Sequence, residues 1–384
     1  MKKLKKDKWQ EVFYGDYVDH IEVNETKPEK RLNSRYVSVE HIETGKLKIE
    51  SWIDEVMPTF FRTFQTGQIL FGKRRAYQRK VAIAEFEGIC SPHIWALEAK
   101  KDLQQEILPF LMLTDNFYEY VNANSAGTMS VYLKWPQLSK YKFLLPPPPE
   151  QKQIASLFQS IETAMEQVDG QEKNLKALKC DLLNNLIGDS QSFGQIKKDK
   201  WRKIKFSDVV KNSNKVERKP LSAGITKAIG LANINPCDLK IKSFIDIEKE
   251  GTNFSRVFRN GQYLFGARRA YLKQYALADF NGVCTANIMV FDVIDDNIML
   301  RGFIALIIQS DVFINYATGT SVGSLFPNAK WSSLAEFKLK LPELEVQKVI
   351  LQVFDQLETT ITQLKKQKTT LKNLKQKLLN EILG

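Results

Sequence analysis

The chain is one design written twice, and nothing else in the sequence constrains its fold as much. KKDKWQEV at 5–12 returns as KKDKWRKI at 197–204, an offset of 192. GQILFGKRRAYQRKVAIAEFEGIC at 67–90 returns as GQYLFGARRAYLKQYALADFNGVC at 261–284, with 14 of 24 positions identical and no gap. LLNNLIG at 182–188 returns as LLNEILG at 378–384, an offset of 196. Offsets that drift by a few residues are what small loop insertions leave after a whole unit is duplicated. The 384 residues are enough for two domains, each burying its own core.

Each copy has a mixed part and a helical part. In the mixed part, apolar stretches such as VAIAEF and YKFLLP, echoed by YALADF and FKLKLP, alternate as short strands do, and helices are expected near 103–122 and 297–316. The helical part follows a proline, Pro149 in the first copy and Pro342 in the second, which biases the preceding residue toward extended backbone. Ile154, Ile161, Val168, Leu175 and Leu182 then recur every seventh residue, as do Ile350, Leu357, Leu364, Leu371 and Leu378. Leu157/Phe158, Met165, Leu178 and Leu186 fill the intervening seam, against Val353/Phe354, Ile361, Leu374 and Ile382. A polar step at Gln171/Glu172 and Gln367/Lys368 pins register at a cost in stability.

An apolar seam over five heptads argues a coiled coil. At 1.5 Å per residue a helix of about 38 residues is roughly 57 Å long, more than a small domain is wide. Two such helices related by duplication should pack on each other, antiparallel about a pseudo-twofold axis, with a globular domain at each end. The expected fold is therefore α+β, with boundaries at 1–149 and 189–341 for the domains and 150–188 and 342–384 for the helices.

Composition removes several function classes. No apolar run approaches the roughly 20 residues that span a bilayer, and no apolar core follows the basic start MKKLKKDKWQ, so no membrane association or secretion is expected and the cytoplasm is the default. Cys90, Cys180, Cys237 and Cys284 form no C-x-x-C pair, and His20, His41 and His93 are the only histidines. No metal site or disulfide framework is expected, and the four thiols are placed in or near cores. GQILFGKR at 67–74 nearly spells a phosphate loop, but Arg74 replaces the magnesium-binding hydroxyl and the second copy has Ala267 for the lysine. Asn235-Pro236-Cys237 is too short for an amino-methyltransferase motif, and no hydrolase triad can be assembled. No catalytic residue and no bound cofactor is assigned to this chain.

What survives is basic. The net charge is +12, which points to a polyanionic partner. Residues 1–192 carry 26 basic and 26 acidic side chains, and 193–384 carry 30 and 18, so local clusters say more than the total. Residues 56–84 hold six basic residues and no acid, and 251–278 hold five and none. Lys73, Arg74, Arg75, Tyr77, Arg79 and Lys80 follow the strand-like GQILFG, and Arg268, Arg269, Tyr271 and Lys273 hold the corresponding places. Arginine forks suit phosphate oxygens and guanine edges, and an adjacent tyrosine can stack. Because both copies share these residues, they are expected to make sequence-independent phosphate contacts with double-stranded DNA, leaving base reading to positions that differ. The alternative is a solvated turn preserved only by folding. A second loop pair, 125–130 with Thr128 and Ser130 and 317–321 with Thr320 and Ser321, offers hydroxyls beside a glycine, which suit phosphate or ordinary turn chemistry equally.

The order of these pieces resembles the specificity subunit of type I restriction–modification enzymes across essentially the whole chain. The resemblance is carried by 67–90, by Gly127-Thr128, by LPPPPEQKQI at the first helix entry, and by their partners, including LPELEVQKVI. Val346 departs from it where the first copy has Glu150, as does the four-proline run. The resemblance implies two target recognition domains, each reading half of a split, asymmetric site, on helices that set the spacing. It implies two modification subunits carrying S-adenosylmethionine and methylating adenine, and restriction subunits using ATP and magnesium. The competing reading from another class is a coiled-coil scaffold that recruits proteins and reads no DNA.

Overall fold

The computed structural model describes residues 6–32, 34–54, 60–127 and 131–384. It divides into two compact units, Met1–Asp169 with Lys365–Gly384, and Gly170–Leu364. The first long helix runs Pro148–Ile187 and the second Leu344–Ile382, so each unit owns part of both.

In unit 1 a four-stranded antiparallel sheet has the order Val18–Ile21, Ile94–Ala99, Ile69–Gly72, Val81–Ile83. A three-stranded mixed sheet orders Tyr36–Val37, Gly88–Cys90 and Arg62–Phe64, and Gln10–Phe13 pairs with Lys142–Leu145. Unit 2 repeats this plan. Val210–Asn212, Ile288–Val293, Tyr263–Gly266 and Tyr275–Leu277 form its four-stranded antiparallel sheet. Lys227–Ile229 runs parallel to Gly282–Cys284 as Tyr36–Val37 runs parallel to Gly88–Cys90, and Arg202–Lys205 pairs with Lys338–Leu341. The fold is α+β, as the sequence implied.

The helices expected near 103–122 and 297–316 are each two. Leu108–Leu111 is followed by Asp115–Asn124, and Gly302–Gln309 by Asp311–Gly319. The break is a cap: Thr114 and Ser310 adopt extended backbone and their hydroxyls accept from the N–H of Phe117 and Phe313. Cys90 and Cys284 are buried and Cys180 is half-buried, but Cys237 is exposed. It occupies a left-handed loop position (φ 57°) rather than a core.

The long helices complete both cores. In unit 1, Ile154, Phe158 and Ile161 from the first helix join Leu378, Leu379 and Ile382 from the second in one cluster with Phe110, Phe117 and Trp9. In unit 2, Leu183, Leu186 and Ile187 join Ile350 and Phe354 around Phe206, Phe291 and Phe303. Of the heptad positions, Ile154, Ile161, Val168, Ile350, Leu364 and Leu378 are buried and Leu175, Leu182, Leu357 and Leu371 are half-buried. Within unit 1, Asp169 meets Lys368 at 2.5 Å, and Glu162, seven residues earlier, meets Lys375, seven residues later, so the segments run antiparallel.

Leu178 and Leu374 are not in the seam; both are exposed. The seam keeps a regular four-then-three spacing, which turns Lys179 and Lys375 inward instead. Lys375 is only 5% exposed and pairs with Glu162, and in unit 2 Lys179 pairs with Glu358. A charge so placed contributes little net stability but strongly disfavours any register that leaves it unpaired.

Two repeated motifs turn out to be fixings for the helices. Gln151 and Gln347 are fully buried. Gln151 accepts from the N–H of Gln104 and donates to the carbonyls of Asp102 and Pro146; Gln347 does the same with Leu300, Ile298 and Pro342. Every polar atom of the helix-entry glutamine is thus satisfied by its own domain. At the other ends, Lys198 of KKDKW donates to the carbonyls of Asn185, Leu186 and Gly188, and Lys6 to that of Gly384. These carbonyls end a long helix, where unpaired oxygens and the helix dipole both favour a cation.

Candidate nucleic-acid interface

The buried strand Ile69–Gly72 delivers the chain into a strained turn. Arg75 and Arg79 both take the left-handed conformation (φ 52° and 54°) around a short 3-10 helix, Ala76–Gln78, and Arg269 and Lys273 repeat it at 55° and 53°. Left-handed backbone is costly for a residue with a Cβ, and it recurs at matched positions in both units. Ala76 and Ala270 are buried, which seats the turn and leaves its flanking side chains outside.

The structure sorts the basic residues into two sets. Arg74, Arg75 and Tyr77 face outward in unit 1, with Tyr77 53% exposed. In unit 2 Tyr271 is 50% exposed, and the half-buried Arg268 and Arg269 lie over the ring of Phe326 at 4.2 and 4.9 Å. Arg74 also reaches His93 Nε2 at 3.1 Å. The remaining basic residues lie closer against the domain. Lys73 lies over Trp95 at 5.1 Å, and burial lowers its pKa. Lys80 donates to the carbonyl of Val39 at 2.7 Å. Arg79 pairs with Asp115 at 2.6 Å over the ring of Tyr118, and Lys273 pairs with Asp311 at 2.5 Å.

Those two aspartates link the turn to a long helix. Asn380 donates to the Asp115 carboxylate and accepts from its N–H, at 2.6 and 2.9 Å; Asn184 does the same with Asp311 at 3.1 and 2.8 Å. The hydrogen bond from Lys273, reinforced by Asn184 and Cys180, holds the Asp311 carboxyl down at about 2. A carboxylate so depressed stabilises the fold fully above its unfolded value of 3.8, and that stabilisation disappears as pH falls toward about 2. Asp311→Asn is expected to cost about 1–2 kcal/mol near neutral pH. Urea unfolding at a series of pH values should show the gap to wild type closing below about pH 4; a gap that stays constant would mean the charge is not what matters. Sequence reasoning missed this anchor, although the asparagine of LLN recurs at an offset of 196.

The glycine loop is brought against the basic turn. Arg74 bridges Tyr132 and the Arg75 N–H donates to the Val131 carbonyl at 2.7 Å; Arg268 bridges Asn328 and the Arg269 N–H donates to the Pro327 carbonyl at 2.8 Å. The pairing of the two loops read from sequence needs correction. Ala126 bridges Tyr132 as Val322 bridges Asn328, and Gly127 and Gly323 share φ values of 105° and 108°. The counterpart of Gly127 is therefore Gly323, not Gly319. Thr320 and Ser321 sit at the preceding helix end, where their hydroxyls donate to the carbonyls of Tyr316 and Ala317. Thr128 and Ser130 lie outside the described residues. Among the described residues, no cluster of three or more histidine, cysteine or acidic side chains stands ready to hold a metal ion, and no helix is long and apolar enough to cross a membrane.

The model of the type I restriction modification DNA specificity domain matches this chain twice, at 6–177 and 198–373. The chain belongs to that family. It is 27% identical over 158 residues to the type I restriction enzyme EcoDI specificity subunit of Escherichia coli, a match covering 40% of this chain and 35% of that relative's length. A chain solved in work on complex assembly and conformational transition of the type I R-M system superposes with a TM-score of 0.62 at 17% identity, covering 97% of this chain and 96% of the other. The S subunit of the type I restriction-modification system from M. genitalium gives 0.58 at 13% identity, covering 100% and 98%. The HsdS subunit from Thermoanaerobacter tengcongensis gives 0.50 at 18%, covering 97% and 95%. At these identities the solved structures speak for the fold; the family match carries the two DNA specificity domains.

Proposed function

We propose that this chain is the DNA-reading subunit of a type I restriction–modification complex in the cytoplasm. One observation carries the reading: the same strained turn presents Arg74, Arg75 and Tyr77 in one unit and Arg268, Arg269 and Tyr271 in the other, on domains whose sequences differ through much of their length. Shared cations suit the phosphate backbone, which is the same everywhere, and divergent surroundings suit two different half-sites. Arg79, Lys80 and Lys273 hold the turn in place rather than reach for DNA, Lys73 packs over Trp95, and the hydroxyls of Thr320 and Ser321 are taken up by the helix end.

Catalysis belongs to other subunits on this reading. Two modification subunits bind S-adenosylmethionine and methylate adenine where this chain directs them, and restriction subunits use ATP and magnesium to translocate and cut. The test is to co-express the chain with the modification subunit encoded beside it and map methylated adenine across the host genome. A single split motif that vanishes without this chain is the expected result. No new methylation, together with no salt-dependent DNA binding by the purified complex, would favour a coiled-coil scaffold instead.

A further inference from the structure

Beside the arginine turn of unit 1 lies a groove of about 390 Å³, lined by Arg74 and Arg75 together with Ser38, Glu40, Gln78 and His93. We propose that this groove reads bases, and that Glu40, Gln78 and His93 determine the specificity of the half-site bound by unit 1. The proposal rests on the DNA-reading function above.

The repeat separates the groove into two kinds of residue. Val37 pairs with Cys90 as Ile229 pairs with Cys284, which makes Gly230 the counterpart of Ser38 and Ala232 that of Glu40. The His93 carbonyl accepts from Lys73 as that of Asn287 accepts from Ala267, and Leu272 follows Tyr271 as Gln78 follows Tyr77. Thus the arginines persist in both units, while Ser38, Glu40, Gln78 and His93 are replaced by Gly230, Ala232, Leu272 and Asn287. Contacts to a uniform backbone call for no such divergence; contacts to two different half-sites do.

The chemistry of each side chain fits an edge rather than a phosphate. Glu40 is exposed, and among the described residues no hydrogen bond or ion pair holds its carboxylate. A phosphate would repel it, whereas the amino groups of cytosine and adenine donate to it in the major groove. Among the described residues no hydrogen bond holds the side-chain amide of Gln78, which matches the N6 and N7 edge of adenine. His93 lies 3.1 Å from an Arg74 guanidinium nitrogen through Nε2. With the guanidinium donating, Nε2 accepts, and the neutral ring keeps its proton on Nδ1 as a donor for a purine acceptor.

The test uses the complex co-purified with its modification subunits and a pool of randomised duplex DNA, sequenced after selection. Glu40→Ala is expected to cut discrimination at one base pair of one half-site by about ten- to a hundred-fold, and Gln78→Leu and His93→Asn to change the preferred base at others. The other half-site and the salt dependence of binding to unrelated DNA stay unchanged, which shows that the domain is folded. Wild-type motifs from all three variants would overturn the proposal while leaving the function intact. No enriched motif from the wild-type complex would instead sink the function. Should Glu40→Ala lose both half-sites, Glu40→Gln decides: a shifted base preference supports base reading, and an unchanged motif refutes it.

Discussion

Replacing Arg74, Arg75, Arg268 and Arg269 together with alanine is expected to weaken binding of the assembled complex to every DNA sequence, by about a thousand-fold near 0.15 M salt. The magnitude follows from counterion release, where each phosphate neutralised contributes about 0.9 to the slope of log affinity against log salt. Four lost contacts should lower that slope by about 3 to 4. The ratio of specific to unspecific binding should change little, because a phosphate carries no sequence information. The four side chains lie at or near the surface of a turn anchored by Ala76, Ala270, Asp115 and Asp311, so thermal unfolding should shift by only a few degrees. Titration of cognate and scrambled duplexes at several salt concentrations gives all three quantities. Loss confined to one cognate base pair, with the slope unchanged, would make these arginines base readers and leave the backbone contacts to be found elsewhere.

Long-range regularity made much of this architecture legible in the sequence. A duplicated unit and an apolar residue at every seventh place survive any local ambiguity, and both lead to two similar domains and two long helices. What stayed hidden depends on side chains meeting across sequence distances that no pattern encodes. Lys375 falls on the regular four-then-three spacing of the seam, but a lysine there reads as an interruption until its encounter with Glu162 shows how the charge is accommodated with Leu374 turned out. The basic turn was visible as a cluster, but its division was not. Arg79 is set apart from Arg75 by Asp115 within 2.6 Å and by the ring of Tyr118, and that aspartate is itself aimed by Asn380 from the far end of the chain. The glycine loops were paired through a shared Gly-Thr string, whereas backbone geometry pairs Gly127 with Gly323. The reading groove was legible only by subtraction, once the structure set the divergent positions beside the shared ones.

The two helices lead to the second large effect. Deleting residues 168–174 and 364–370 together is expected to change the unread spacer between the half-sites by about three base pairs while leaving both half-sites as they were. Seven residues of helix rise about 10 Å, and base pairs stack about 3.4 Å apart. The two segments are equivalent in the repeat and contain both partners of the Asp169–Lys368 pair, so neither charge is orphaned. They exclude Glu162, Lys375, Lys179 and Glu358, so the ion pair within each unit survives, as do the glutamine entries and the lysine caps. Removing a whole heptad also keeps the apolar seam in phase, which a deletion of five or six residues would not. Methylation mapping of the co-expressed complex reports spacer and half-sites in one experiment. An unchanged spacer in a folded, active variant would mean that the partner subunits, not these helices, set the distance. Loss of one half-site alone would mean that the helix segments contribute to a recognition domain itself, as their packing into each core would then have to explain.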